Sequence, residues 1–321
     1  MSFLNKFKLN YNLKLIDENI EKNNNEQLLE ILRSTKKKNA DLYFSLFNYL
    51  NQNYSNTPKG EQLILNKYSI ISSFLEEDQK FITDFLNFYF TSNHHSFLIE
   101  SFSDAISADL ESFKFNSLPN QIPYEQVVMY SDFFLNSLLL NTNEDIFLNS
   151  CSAFFESNNS KFFIYPNRTR TYIFIHDHPF NVYFKLKRRN DNQQYILNEL
   201  FNFDNSWISG QNKKNKFQFN ENRQSWNIHS NSWLDPNVQS SYNGFIISMN
   251  ELRKEPVDIL TNLIFHLKQS GLPININYET IELFCEKNKL EIIEPTLSNK
   301  EKKLINNNLD TSVINRLDYE I

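Results

Sequence analysis

Residues 168–189 read RTRTYIFIHDHPFNVYFKLKRR, and the way this stretch pairs decides the fold class. Arg168 and Arg170 stand at one end, and Lys185, Lys187, Arg188 and Arg189 at the other. Two of the chain's six histidines lie between them. Aromatic and β-branched residues alternate with other side chains on both sides of His178-Pro179, the pattern of two strands joined at a turn. The stretch is predicted to be a β-hairpin. Centring the turn on His178 and Pro179 sets Ile175 opposite Val182, Ile173 opposite Phe184 and Thr171 opposite Leu186, which gives one apolar face. The other face then pairs His176 with Asn181, Phe174 with Tyr183, Tyr172 with Lys185 and Arg170 with Lys187. A slip of one residue would mix the two faces, so the pattern specifies this register.

Like charges directly opposite one another destabilise a sheet. Arg170 and Lys187 can share a face if solvent screens them or an anion lies between them. Arginine offers a planar fork for carboxylate or phosphate, and lysine a point charge. Arg168, Arg170, Tyr172, Lys185 and Lys187 are therefore candidate ligand-binding residues on a basic, aromatic sheet face. The bland reading is a solvated outer face whose lysines lean over Tyr172 and Tyr183, a common way of protecting exposed strands.

The run Arg170-Thr171, followed fourteen residues on by Lys185-Leu186, is similar to the Ser-x-Arg-Thr…Lys-Leu segment of ATP-dependent siderophore synthetases. That resemblance implies ATP binding and ligase chemistry. Arg168 holds the place of the family's serine, the His-Pro-x-His-Pro element is absent, and the match covers only this short stretch.

Outward from the hairpin, KFFIYP (161–166), KFQFN (216–220) and GFIIS (244–248) also read as strands with polar turns between them. Toward the N-terminus, FKLNYNLKLI (7–16) alternates as a short strand. Residues 27–156 then carry helical spacing in LLEIL (28–32), LYFSLFNYL (42–50), QLILNKYSIISSFL (62–75), FITDFLNFYF (81–90), 96–113 and 124–140. Past residue 255, EPVDILTNLIFHLKQSG has proline in its first turn and glycine just beyond its end, the start and stop asymmetry of a helix. YETIELFCEKNKL (278–290) and SNKEKKLINN (298–307) are further helices, with LEII (290–293) a short strand. The predicted class is α+β: a helical N-terminal half (1–156), a central antiparallel β-sheet with the candidate ligand face (157–255), and a helical C-terminal section (256–321) that can pack with the sheet as one domain.

Four glycines occur, at 60, 210, 244 and 271. None are spaced for a P-loop or a dinucleotide-binding turn, both of which need glycine where backbone approaches phosphate. Kinase glycine loops and the nucleophile elbow fall for the same reason. The net charge of −6 disfavours a nucleic-acid partner, and Lys36–Lys38 and 212–217 read as solvated runs. Thirty Phe and fifteen Tyr argue for a folded chain. Cys151 and Cys285 stand far apart, without a C-x-x-C pair, and read as reduced thiols. Neither a signal-peptide core nor an apolar run of membrane-spanning length is visible, so a soluble, cytoplasmic protein is expected, although export without a cleaved signal would leave the same sequence.

His176, His178 and His229 are candidate metal ligands, since three nitrogen or oxygen ligands suit an open catalytic site. Against this, the iron-oxygenase pattern would need Asp at 178. His94 and His95 read as solvated and His266 as structural. A second cluster, WNIHSNSWLDP (226–236), places His229 and Trp233 with Trp226, Asp235 and Tyr242 as the aromatic and polar lining of a ligand pocket, or as anchors of a long loop. Ser230 or Ser232 with His229 would need an oxyanion element that is absent. Arg253, in ELRKEP, is a candidate carboxylate binder.

The function these residues support is an enzyme or ligand-binding protein recognising a small anion, either nucleotide phosphate or carboxylate, with ATP or another nucleotide as the cofactor to test. The alternatives are a protein-interaction or effector-type molecule with a protein partner and no chemistry, an ATP-dependent ligase, and a histidine-ligated metal enzyme.

Overall fold

In the computed structural model of the chain, residues 3–22, 25–38, 42, 45–46, 49, 53, 68–101, 145–150, 154–157, 160–163, 169–190, 192–201, 208–211, 217–220, 225–241 and 243–319 are described. They fall in two compact units. One comprises Met1–Lys67, Ser103–Asn143 and Ile208–Asn220, and the other Tyr68–Phe102, Glu144–Trp207 and Glu221–Ile321.

The second unit is built on a five-stranded sheet of β1 (Tyr68–Ser73), β2 (Phe97–Ser101), β3 (Asp145–Ser150), β6 (Thr169–His176) and β9 (Gly244–Ser248), in the spatial order β2-β3-β1-β6-β9. Every pairing in it is parallel. This overturns the expected antiparallel sheet and the α+β class: the unit is α/β. Antiparallel pairing occurs only in two separate two-stranded ribbons among the described residues, β4 (Phe154–Ser157) with β5 (Ser160–Phe163), and β7 (Ile208–Gln211) with β8 (Phe217–Asn220).

The predicted hairpin is half right in its elements and wrong in its connection. Its first arm is β6, but its second arm is an α-helix, Pro179–Arg189. Pro179 occupies the first helical turn, where its missing N–H costs nothing and its fixed φ suits the helix. His178 is the N-cap, and its side chain accepts a hydrogen bond from the Phe180 amide. Lys187, Arg188 and Arg189 fill the last turn, where cations favour the dipole. Pro179, Val182, Tyr183 and Leu186 are buried, a three- and four-residue spacing that the alternating reading of NVYFKLK concealed.

Three other expectations change for related reasons. Tyr68–Ser73, placed in a predicted helix, is a strand buried at all six positions. A central parallel strand is covered on both faces and therefore reads as one apolar run rather than as an alternation. Phe97–Ser101 and Asp145–Ser150, placed in the helical half, are strands. Residues 7–16 lie within a helix, Phe3–Glu21, and the Trp226 loop is also helical, Trp226–Leu234. Residues 289–298 carry no strand. The helices predicted at 124–140 and over most of 42–50 fall outside the described residues.

Helices cover both faces of the sheet. In chain order the helices of the described residues are α1 (Phe3–Glu21) and α2 (Asn25–Lys38) in the first unit, and in the second unit, where they supply this cover, α3 (Glu76–Ser92), α4 (Pro179–Arg189), α5 (Gln193–Phe201), α6 (Trp226–Leu234), α7 (Pro236–Ser241), α8 (Met249–Lys254), α9 (Pro256–Gln269), α10 (Tyr278–Lys287), α11 (Asn299–Asn306) and α12 (Thr311–Arg316). On one face Ile71, Phe147, Ile173, Ile175 and Ile247 pack against α3, α9 and α10 through side chains such as Phe85, Phe90, Leu263 and Phe284. On the other, Tyr172 packs on Trp233 of α6 with ring centroids 5.1 Å apart, and Phe174 lies 5.5 Å from the His229 ring. Gly244 is register partner to Tyr172, whose ring fills the space where a side chain would stand; a Cβ there would lie 2.0 Å from Tyr172 Cζ.

In the first unit, α1 and α2 bury Ile16, Ile20, Leu28 and Leu32, and the Tyr49 hydroxyl donates to Asp17. No helix among the described residues is long and apolar enough to cross a membrane.

Candidate functional site at the sheet's switch point

The topology directs attention to one edge. After β1 the chain passes through α3 to β2, on one side of the sheet. After β6 it enters α4 on the other face and proceeds to β9 on the opposite side. β1 and β6 are neighbours, so their exits diverge and leave a crevice beyond their carboxyl ends. Open α/β sheets bind ligands at such switch points.

Four charged side chains converge there. Asp78 lies in the first turn of α3, Asp177 follows β6, Lys185 reaches back from α4, and Arg253 comes from α8. Lys185 Nζ is 2.6 Å from Asp78 and 3.0 Å from Asp177, with Glu77 at 3.6 Å. Arg253 forks onto Asp177 with bonds of 2.7 and 3.1 Å. Asn181 donates to Asp177 at 2.8 Å and to Asn250 at 2.8 Å. The Arg253 side chain is 4% exposed and that of Asp177 1%.

These environments push the two carboxyls apart. Burial raises Asp78 to about 6 despite the opposing charge of Lys185. Burial also acts on Asp177, but the hydrogen bonds and charges of Arg253 and Lys185 outweigh it and hold that carboxyl below its usual range. The site therefore contains one permanent anion and one acid able to exchange a proton near neutrality, the division of labour expected of acid–base chemistry.

Histidines and a tyrosine border the cluster. His176 Nδ1 bonds the Tyr319 hydroxyl, and the Tyr319 ring lies edge-on to both His176 (5.4 Å) and His178 (4.7 Å). Burial lowers His176 to about 4, partly offset by Asp177, so the ring is neutral at physiological pH. His229 sits elsewhere, inside the second face. Its Nε2 is 3.0 Å from Ser72 Oγ, and burial lowers it to about 3. Its Nδ1, with Ser230 Oγ and Trp233 Nε1, is buried without a hydrogen-bond partner among the described residues. The three candidate metal histidines are thus engaged separately, by a tyrosine, a helix cap and a serine, and among the described residues no three His, Cys, Asp or Glu side chains gather to hold a metal.

The predicted ligand residues are dispersed. Lys185 and Arg253 meet at the switch point. Arg170, the extra residue of a bulge between β1 and β6, pairs instead with Asp145 at 2.5 Å, beside His95 at 2.9 Å from the same carboxylate. Lys187 bonds Glu301 at 2.7 Å. Tyr172 and Trp233 are core, and His266 bonds Thr171 at 2.6 Å. Arg168, Tyr242 and Cys151 lie outside the described residues. An open cavity of about 360 Å³ between α4, α5 and α11 is lined in part by Lys187, Lys300 and Glu301. The Glu301 carboxylate there is already bonded by Lys187, Tyr183 and Ser298.

Sequence reasoning missed Asp78, Asp177, Asn181 and Tyr319 as site residues. The available signal was positional: acids directly after an apolar β-branched run, in SIISSFLEED and YIFIHD, mark the carboxyl ends of parallel strands. No protein-family model matches the sequence, and no curated protein matches it either.

Proposed function

We propose that this is a cytoplasmic protein that binds, and is equipped to act on, a small anion such as a nucleotide phosphate or a carboxylate at the switch point. The reading rests on one observation: Lys185 and Arg253, from separate elements, converge on Asp177 at the carboxyl ends of β1 and β6, beside an Asp78 that titrates near neutrality. Asp177 holds the Arg253 fork as a ligand carboxylate or phosphate would. With both acids ionised, Asp78, Asp177, Lys185 and Arg253 sum to zero charge. Protonation of Asp78 leaves one excess positive charge, with Glu77 the further carboxylate in reach of Lys185. Anion affinity should therefore rise as pH falls through about 6. Asp78 is the residue able to give or take a proton from the bound molecule.

The test is thermal denaturation with sulfate, citrate and ATP at pH 5.5 and 7.5, in the native protein and in Lys185→Met. Sulfate also stabilises proteins non-specifically, so the informative quantity is the shift lost in the variant. The proposal expects a larger shift at the lower pH and its loss in Lys185→Met. Equal shifts in both proteins, with Lys185→Met merely less stable, would make the cluster a structural clamp and favour a protein-interaction role.

A further inference from the structure

We infer that Tyr319 is a removable cover over the switch-point site, carried on the segment Asp310–Tyr319. This rests on the site reading above and adds its regulation.

The segment is fastened at its beginning. Asp310 caps α12 through the Ser312 amide and accepts from Asn231 at 2.8 Å. Val313 and Ile314 are buried, and Arg316 donates to the Leu234 carbonyl at 2.8 Å and to Asn231. Beyond Leu317 the chain makes a Schellman turn: the Asp318 amide donates to Asn315 and the Tyr319 amide to Ile314, at 3.4 and 3.2 Å. Such a turn places one residue in the left-handed region, normally a glycine. Here it is Asp318, at φ 53°, so the joint that aims Tyr319 carries backbone strain.

Past that joint Tyr319 reaches the site. It touches the residues on either side of Asp177, namely His176, by hydroxyl and ring, and His178, by ring. Asp177, Glu251, Asp78 and Arg253 are the charged groups around it. His176 and Asp177 are buried, while His178 is partly exposed. A ring that spans the site's border, hangs from a strained joint and is anchored on a different helix, α6, has the parts of a latch: a fixed mount, a strained hinge and a contact that can be released.

A latch makes the access of His176 an equilibrium between closed and open forms, and the apparent affinity of anything entering is reduced in proportion to the open fraction. The experiment follows carbethoxylation of individual histidines by diethylpyrocarbonate, resolved by mass spectrometry, in the native protein, Tyr319→Ala, Tyr319→Phe and Asp318→Gly. His176 should react about tenfold faster in Tyr319→Ala if the native latch is open roughly a tenth of the time. Tyr319→Phe, which keeps the ring and loses the hydroxyl bond, should lie between. Asp318→Gly, which removes the strain, should react more slowly than the native protein. The buried His229 should stay unreactive in all four and thereby reports intact folding. An unchanged His176 rate in Tyr319→Ala overturns the inference. So does an unchanged rate in Asp318→Gly, which would make Tyr319 a permanent plug. Whichever of sulfate, citrate or ATP stabilises the native protein should bind Tyr319→Ala more tightly. If none does, the anion site fails while the histidine rates still decide the latch.

Discussion

Strand β6 runs between two charged ends that solve the same problem differently. At its amino end Arg170 meets Asp145, with His95 on the other carboxylate oxygen, and these side chains remain 12–15% exposed. At its carboxyl end Asp177 serves Arg253, Lys185 and Asn181 together, with Asp78 crowded alongside, and exposure falls to a few per cent for Asp177 and Arg253. The first is a pair at the bottom of a sheet, where water still reaches. The second takes four charges out of water, and a buried ion pair does not recover its desolvation cost reliably. An apolar arrangement often serves stability as well, and the proposed function accounts for the concentration of charge at the edge where α/β proteins bind ligands.

The sharpest way to break this contrast is to remove one carboxylate from each end. Asp177→Asn leaves two buried cations without their shared partner, for which a loss of about 3–5 kcal/mol is typical. Asp145→Asn leaves Arg170 with access to solvent and should cost less, about 1.5–3 kcal/mol, the range of a hydrogen bond to a charged group. Chemical denaturation midpoints at pH 7 measure both. Equal losses would show the two ends to be equivalent braces.

Acidification should sharpen the contrast further, because the most strongly shifted groups, His176, His229 and Asp78, lie toward the carboxyl side, while His266, which burial also lowers, bonds Thr171 nearer the amino end. His176 and His229 have folded values of about 4 and 3, below the ordinary 6.5. The stability they contribute is present above 6.5 and is lost as pH falls through those values. Asp78 acts oppositely: with a folded value of about 6 against 3.8, its contribution is full below 3.8 and lost as pH rises through 6. Between these limits the unfolded chain gains two protons on His176 and His229 while the native state gains one on Asp78, and His266, also lowered by burial, adds in the histidines' direction. The net is at least about one proton, so stability should fall by roughly 1.4 kcal/mol or more per pH unit on acidification. Denaturation at pH 6, 5 and 4.5 gives the slope, and His229→Leu should flatten it. Hydrogen exchange should show the carboxyl end of β6 opening before its amino end.

What was legible in the sequence divides along similar lines. The helix at Pro256 was readable because proline, apolar spacing and Gly271 all agree. The same proline rule applied to Pro179 would have found α4, but the alternation of NVYFKLK imitates a strand, and local pattern cannot choose when both periods fit. β1 was hidden because a strand buried on both faces loses the alternation that marks strands. The charged clusters were legible only as residue types. Lys185 and Asp78 are 107 residues apart, and Arg253 and Asp177 are 76. Their meeting is a product of topology, so an incorrect strand order made a cationic face out of residues that carboxylates neutralise. The question raised by Arg170 and Lys187 has a direct answer in Asp145 and Glu301.

Lys187 supplies the smallest test. Its side chain is 42% exposed, yet it lowers Glu301 to about 2, ahead of the contributions from Ser298. A depressed carboxylate contributes stability above its unfolded value, here 4.5, and loses it as pH falls toward the folded one. Exposure discounts the amount, because water screens the pair and the lysine must give up rotamer freedom to make it, so Lys187→Met should cost under about 1 kcal/mol at pH 7. Ser298 continues to bond Glu301 in that variant and keeps the capping box of α11 intact, which separates the ion pair from the cap. Glu301→Gln removes both the charge and its pull on the cap, and should cost slightly more. Should Lys187→Met cost as much as Asp145→Asn, the partly exposed pairs of this protein are stronger than their solvent access allows, and burial would lose its standing as the property that sets the carboxyl end of β6 apart.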